Sequence, residues 1–341
     1  MNVLSLFDGI STCHLALEKA GLTVDRYYST EIDKYAIQIA SKNYPQDDKY
    51  RLGDVTKWKS WDIDWSSIDL VTGGFPCQAW SVAGKQLGDR DERGMLFWTT
   101  LDIIKNVMKH NPKAKFLMEN VKMKKEFEEY ITHHTTEALG LIHKHLINSA
   151  LVSAQNRQRY YWTNIEGIRQ PRDKGILLRD VLEDDQTEVR PCELKSFKDQ
   201  SVCHHIATAT DIKGNESLKR VYADTGKAPT LTTMTGGHRE PKVLINKLGN
   251  VNPSGNGING NVYGVNAKSP TLTTNKGEGI KISTTGHSYR KLTPLECERL
   301  QTLPDNFTEG VSNSQRYKML GNGWTCDVIV HIFKALRRSI R

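Results

Sequence analysis

The 341-residue chain carries 47 basic and 39 acidic residues, a formal charge of +8 and a pI near 9.0, which suits a polyanionic partner and is long enough for two domains around a large core. Six scattered cysteines (Cys13, Cys77, Cys192, Cys203, Cys297, Cys326) form no CxxC pair, so a disulfide framework and a zinc site are both disfavoured and a reducing, intracellular setting is expected. No apolar run approaches the length of a membrane span, and Met1–Ile10 lacks a basic leading segment and is interrupted by Asp8, so it does not read as a signal peptide.

Taken in order, the N-terminal part alternates strand and helix signals. Val3-Leu4-Ser5-Leu6-Phe7 reads as a buried strand, followed by a turn at Asp8-Gly9 and a helix from about Thr12 that Gly21 stops. A second strand, Arg26 to Ser29, leads to Glu31 and a helix carrying Tyr35, Ile37 and Ile39. Ile68-Asp69-Leu70-Val71 is a short strand before Gly73-Gly74-Phe75-Pro76-Cys77-Gln78, where glycine permits a sharp exit and Pro76 stiffens it. Leu96 to Met108 has a helical period, and Phe116-Leu117-Met118 is a strand ending at Glu119-Asn120. This alternation predicts an α/β fold, a doubly wound and mainly parallel Rossmann-like sheet with ligands at the carboxyl ends of its strands. Asp8, Glu31, Asp54, Cys77 and Glu119 all fall at or just beyond such ends.

Past Asp184 the character changes. Residues 185–285 are rich in Gly, Thr, Asn and Lys and read as a second, smaller β-rich domain, with 1–184 before it and 286–341 returning to the first. Within it Val221-Tyr222, Lys227, Pro229-Thr230-Leu231-Thr232-Thr233 and Gly236 recur at an offset of 41, as Val262-Tyr263, Lys268, Pro270-Thr271-Leu272-Thr273-Thr274 and Gly277. Two copies are too few for a solenoid. Thr293-Pro294-Leu295-Glu296 then signals a capped helix start, and an apolar face on Val328, Ile329, Ile332 and Phe333 marks a last helix. Its basic end, Arg337-Arg338-Ser339-Ile340-Arg341, reads as solvated.

The residues at the strand ends suggest chemistry. A carboxylate after the second strand, Glu31, is placed to accept hydrogen bonds from ribose hydroxyls beside the Asp8-Gly9 turn. The turn has no GxGxxG and carries an acid, which disfavours a pyrophosphate cofactor; a sulfonium cofactor with an amino-acid tail tolerates it. Asp54 reads either as a contact for an adenine amino group or as a loop cap. A thiolate at Cys77 can add to an electron-poor ring carbon such as pyrimidine C6 while the Glu119 carboxyl relieves the charge on the ring. Alternation along Gln155-Asn156-Arg157-Gln158-Arg159 places Gln155, Arg157 and Arg159 on one face, with two fixed cations.

Together these stretches resemble the cytosine-5 DNA methyltransferase family, bacterial or bacteriophage type. The resemblance rests on Phe7-Asp8-Gly9, Glu31, Gly53-Asp54-Val55, Gly74-Phe75-Pro76-Cys77-Gln78, Arg93-Gly94-Met95-Leu96-Phe97, Glu119-Asn120-Val121, Gln155-x-Arg157-x-Arg159, the Arg290–Gln301 stretch with Leu292-Thr293-Pro294, and Tyr317-Lys318-x-Leu320-Gly321-Asn322, all in order. It implies S-adenosylmethionine as cofactor, held by Phe7, Asp8, Gly9, Ile10, Ser11, Thr12, Glu31, Ile32, Asp54, Val55, Pro76, Leu96 and Asn322. It implies Cys77 as nucleophile, Glu119 at the ring N3, and Arg157 and Arg159 in support. It implies that Gln78 and Ser81 bind the DNA substrate, that Thr230-Leu231 and Thr271-Leu272 resemble the Thr-Leu element of the family's recognition domains, and that the target base is flipped out of double-stranded DNA. A monomer on DNA, a cognate restriction endonuclease as partner, and a cytoplasmic place in a bacterial cell or phage-infected host follow from that type. No metal is expected. Two departures touch the cofactor pocket: Ile10-Ser11-Thr12 replaces a glycine-rich turn, with Asp8 before it as in animal de novo methyltransferases, and Gly321-Asn322 continues as Gly323-Trp324. A tRNA cytosine-5 methyltransferase and a catalytically silent DNA-binding paralogue are the alternatives.

Overall fold

The computed structural model describes residues 1–76, 94–183 and 292–340, together with the backbone of short strands between 190 and 291. Cys77, Gln78, Ser81, Thr230, Leu231, Thr271 and Leu272 lie outside the described residues. Strands β1 (Asn2–Leu6), β2 (Arg26–Thr30), β3 (Arg51–Gly53), β4 (Ile68–Gly73), β5 (Lys115–Val121), β6 (His143–Asn148) and β7 (Gln158–Thr163) form one seven-stranded sheet in the order β3-β2-β1-β4-β5-β7-β6. The first five are parallel, and β7 runs antiparallel between β5 and β6. The expected doubly wound sheet is present.

Alternation along each central strand sends one residue to each face. Val3, Tyr27, Leu70, Leu117 and Tyr161 enter one core, with helices α1 (Thr12–Ala20), α2 (Lys34–Asn43) and the C-terminal helices. Leu4, Tyr28, Val71, Phe116 and Trp162 enter the other, under α3 (Met95–His110) and α4 (Lys125–Leu139). Both faces of the sheet are therefore covered, as a parallel sheet requires.

After the 190–291 stretch come α5 (Pro294–Leu300), α6 (Asn313–Asn322) and α7 (Cys326–Ile340). Helix α5 begins with the expected capping box, Thr293 and Glu296 each bonding the other's backbone, with Pro294 in its first turn. Helix α7 lies on α1 and buries Val328, Ile329, Ile332, Phe333 and Leu336 completely, each contributing about 1.5–3 kcal/mol. Its basic end is not simply solvated. Arg337 donates to the Ala20 carbonyl at 3.3 Å and lies so close to Gly21 that a Cβ there would stand 2.7 Å from its Nη1. Gly21 also ends α1 in the left-handed region, at φ 73°.

Between the two parts the described residues are all strands: Arg190–Pro191, His205–Thr208, Arg220–Tyr222, Gly249–Asn250, Asn261–Gly264, Lys281–Ser283 and Ser288–Lys291. Both Val-Tyr pairs of the repeat, Val221-Tyr222 and Val262-Tyr263, lie in strands. The described residues of this stretch thus lie in strands. Ser288–Lys291 pairs antiparallel with Arg190–Pro191, so the outgoing and returning chains run side by side. No helix among the described residues is long and apolar enough to cross a membrane.

Candidate active site

The strand order reverses between β1 and β4, and there two turns leave the sheet side by side, Leu6 paired with Gly73. Such a switch point opens the crevice in which doubly wound folds bind ligands. The turn after β1 is tightly wound: Phe7, Gly9 and Ser11 all have left-handed backbones, at φ 54°, 61° and 58°. For the two non-glycine residues this costs roughly 1 kcal/mol or more each, so neighbouring contacts must hold the conformation. Asp8 supplies them. Ser5 Oγ and Tyr27 Oη donate to its Oδ1 and Ser11 Oγ to its Oδ2, each at 2.6 Å. Burial carries the Asp8 pKa above the usual 3.8 against the pull of those bonds. The carboxylate is thus engaged in the turn itself, although Asp8 also lines the adjoining cavity. Ser11 lies beneath, at the start of α1, and is absent from the cavity wall.

Glu31 follows β2 and ties the first turn to the second. Its Oε2 accepts from Gly9 N at 2.9 Å, and its Oε1 from Ile32 N and Asp33 N at 2.8 Å each. Three N–H donors fix the carboxylate and leave it acceptor capacity on the cavity side. Ile32 beside it is 77% exposed, an apolar side chain at the mouth of the cavity with little of its own to pack on. Asp54 proves to be a cap as well as a wall residue. It accepts from Thr56 N at 2.9 Å and Thr56 Oγ1 at 2.8 Å, bonds that hold its pKa below the usual value, and it also lines the cavity.

The turn after β4 shows why two glycines stand there. A Cβ on Gly73 would meet Leu6 Cβ at 3.1 Å, and one on Gly74 would meet Glu119 Oε2 at 3.0 Å and Trp324 Nε1 at 3.1 Å. The backbone leading to Cys77 therefore passes directly against the Glu119 carboxylate. Phe75 is buried, its ring 5.3 Å from Phe97, and its carbonyl accepts from Asn120 Nδ2 at 3.0 Å. The last residues described before Cys77 are thereby anchored to β5.

Glu119 and Arg159 lie across the β5–β7 pair and form a buried ion pair, Nε to Oε1 at 3.0 Å, with side chains 10% and 8% exposed. Arg157 is also buried but serves a different partner. It donates to the Gly321 carbonyl at 3.2 Å and the Gly323 carbonyl at 3.0 Å, which holds the end of α6 against the cavity. Gln301 Nε2 adds bonds to the Leu320 and Gly323 carbonyls, at 2.5 and 3.3 Å. Lys318 bonds Asp33 at 2.6 Å, joining α6 to the start of α2. The alternation expected from Gln155 to Arg159 holds only in part, because the regular strand begins at Gln158. Gln155 is fully buried, with no partner for either amide atom among the described residues, and does not reach the cavity.

These elements enclose one continuous cavity of about 560 Å³. It is walled at one end by Glu31, Ile32 and Asp54 and at the other by the charged Glu119 and Arg159, and its size is within the usual range for small-molecule sites.

The profile of the C-5 cytosine-specific DNA methylase family matches residues 1–338. The chain belongs to that family. This methylase is accordingly a methyltransferase, and it is similar to named ones over nearly its whole length. The type II methyltransferase M.HhaI of Haemophilus parahaemolyticus is 31% identical over 346 residues, covering 97% of this chain and 93% of that protein. The orphan methyltransferase M.SPRI of Bacillus phage SPR is 29% identical over 441 residues, covering 98% and 97%. Among solved structures, the Entamoeba histolytica methyltransferase EhMeth superposes with a TM-score of 0.65 at 14% identity, covering 100% of this chain and 99% of that one. A putative DNA modification methyltransferase from an Escherichia coli prophage gives 0.61 at 19%, with the same coverage. At those identities the structures show the fold alone.

Of the residues singled out in the methylase sequence, Phe7, Asp8, Gly9, Ile10, Thr12, Glu31, Ile32, Asp54, Val55, Pro76, Leu96, Glu119, Arg157, Arg159 and Asn322 line this one cavity. The sequence reading missed Phe75, Val121, Lys318 and Trp324, which line it too. Trp324 was within sight as the departure after Gly323, and Phe75, Val121 and Lys318 all stood inside the ordered signatures. Among the described residues one group of metal-type donors occurs, His133, His134 and Glu137 on α4, and none of the three lines the cavity.

Proposed function

We propose that this methylase transfers a methyl group from S-adenosylmethionine to C5 of a cytosine flipped out of double-stranded DNA, at a specific sequence. The observation that carries the reading is Gly74 packed against Glu119 while Arg159 holds the other carboxylate oxygen, so that the turn running from Gly73 to Pro76 passes beside a fixed acid.

Glu31, Ile32 and Asp54 would hold the adenosine, with Val55, Leu96 and Phe7 as apolar wall and the Asn322–Trp324 segment closing the pocket. When bound, the cofactor supplies an electrophilic methyl group. The Cys77 thiolate adds to C6 of the flipped base, and Glu119 meets N3, where charge develops as the ring loses its aromaticity. Arg159 fixes the Glu119 carboxylate in that position, and Arg157 keeps the Gly321–Gly323 segment in place. Addition at C6 makes C5 nucleophilic; after methylation, loss of the C5 proton and expulsion of Cys77 restore the ring. Gln78 and Ser81, together with the Thr-Leu dipeptides at 230–231 and 271–272, are assigned to the DNA. In this reading 1–184 is the catalytic domain, 185–285 recognises the target, 286–341 returns to the cofactor site, and the enzyme works as a monomer. Relatives of both type II and orphan kind support a bacterial or phage modification enzyme, with a partner endonuclease in the type II case.

Cys77→Ala should abolish tritiated-methyl incorporation into mixed-sequence duplex DNA while calorimetry still shows cofactor binding. Turnover retained in that variant refutes the mechanism. Incorporation into tRNA instead of duplex refutes the DNA assignment, and bisulfite sequencing of DNA from expressing cells reads the target.

A further inference from the structure

We propose that Lys122 and Lys124 form a phosphate-contacting site on the rim beside the catalytic carboxylate, holding the DNA backbone next to the flipped base. The inference rests on the reading of this cavity as a DNA methyltransferase site and names residues that would engage the backbone there.

Chain position and burial carry it. Strand β5 brings Glu119 and Val121 to the cavity wall, and the chain then runs three residues, Lys122-Met123-Lys124, before α4 begins. Over Val121–Lys124 burial alternates: Val121 and Met123 are buried at 8% and 6% exposure, and Lys122 and Lys124 are exposed. An extended segment sends alternate side chains to opposite sides, so both lysines stand exposed on the side away from Val121, just past the end of the strand that bears Glu119. Lys122 Nζ donates to Gln158 Oε1 at 3.1 Å, and Gln158 is the first residue of β7, next to Arg159. That bond ties the first ammonium group to the end of the strand that carries Arg159. Among the described residues neither lysine has an ion-pair partner, whereas the next one, Lys125, faces Glu129 at 3.4 Å.

Local helix energetics do not explain the arrangement. Lys124 is the N-cap of α4 and makes no side-chain capping bond, at a position where a cation opposes the helix dipole by roughly 0.3–1 kcal/mol and Ser, Thr, Asp or Asn would stabilise the helix. A residue that breaks a local rule on the rim of a polyanion-binding site fits a ligand contact. The ligand is a phosphodiester backbone: two ammonium groups on an exposed face act as point charges for phosphates and carry no base-edge geometry.

The test compares duplex binding and methyl transfer in wild type, Lys122→Ala/Lys124→Ala, Lys122→Arg/Lys124→Arg, and a control, Lys105→Ala/Lys109→Ala, at the opposite end of α3. Losing two phosphate contacts should lower the slope of log K against log salt by about 1.8, so that the alanine variant's disadvantage in Kd shrinks about tenfold between 50 and 200 mM salt. Cofactor affinity should be unchanged, the arginine pair should retain the wild-type slope, and so should the control. An alanine variant with the wild-type slope overturns the proposal, as does an equal loss of slope in the control. A wild-type enzyme that neither binds nor methylates duplex DNA would instead overturn the functional reading on which this rests.

Discussion

Alanine at Gly74 isolates the approach between the turn after β4 and the Glu119 carboxylate. Gly74 is not among the positive-φ residues, so alanine brings no backbone penalty and the whole effect comes from one methyl group. That methyl would stand 3.0 Å from Glu119 Oε2 and 3.1 Å from Trp324 Nε1, tighter than nine in ten real Cβ contacts, and must displace its neighbours by a few tenths of an ångström. Glu119 has little room to yield, since its other oxygen is held by Arg159 at 3.0 Å and the adjacent Asn120 is tied to the Phe75 carbonyl. Overpacking of this kind costs about 1–3 kcal/mol, which corresponds to a fall of several degrees in Tm. A 1 Å misplacement costs about 10²-fold in rate, so a shift of a few tenths should lower single-turnover methyl transfer roughly tenfold, with cofactor affinity changed far less. Rapid-quench transfer of labelled methyl, beside calorimetric cofactor binding, measures both. An alanine variant with wild-type rate and wild-type Tm refutes the contact between this turn and Glu119.

The Glu119–Arg159 pair should show strong coupling: Glu119→Leu and Arg159→Leu each strand a buried charge and should cost about 3–5 kcal/mol in urea unfolding, with the double variant well below their sum. Additive losses would refute the pairing. Because burial raises the Asp8 pKa above 3.8, the folded state holds that proton more tightly than the unfolded chain does. Its contribution to stability is full below pH 3.8 and lost as pH rises through the raised folded-state value, so the gap between wild type and Asp8→Asn in urea midpoint should change across that rise. A gap independent of pH would count against a buried titrating Asp8. Burial pushes the Cys13 and Cys326 thiols up to about 12 and Cys297 well above its ordinary value, so native-state alkylation at pH 8, read by mass spectrometry, should spare all three. Modification of any of them before unfolding would contradict their packing.

Much of the fold can be read from local pattern. The runs Val3–Leu6, Leu70–Val71 and Phe116–Met118 became central strands because residues buried on both faces leave an apolar run in the sequence, and Gly21 and the Thr293–Glu296 box mark helix ends through chemistry contained within a few residues. The strand-end positions of Asp8, Glu31, Asp54 and Glu119 were legible for the same reason. Their partners were not. Asp54 carries a cap and a cavity wall at once, and the Asp8 carboxylate turns to Ser5, Ser11 and Tyr27, neither of which follows from its place after a strand.

By itself, then, the sequence determined the alternation of strands and helices, the ordered signatures and the types of group available for catalysis, because periodicity and motif spacing are properties of neighbouring residues. Tertiary structure decided how those groups meet. Arg157 serves carbonyls at Gly321 and Gly323, Lys318 reaches Asp33, and Gly74 lies against both Glu119 and Trp324. Each of these contacts joins segments far apart in the chain, and they exist only because the reversal of strand order between β1 and β4 and the return of α6 and α7 bring those segments to one rim.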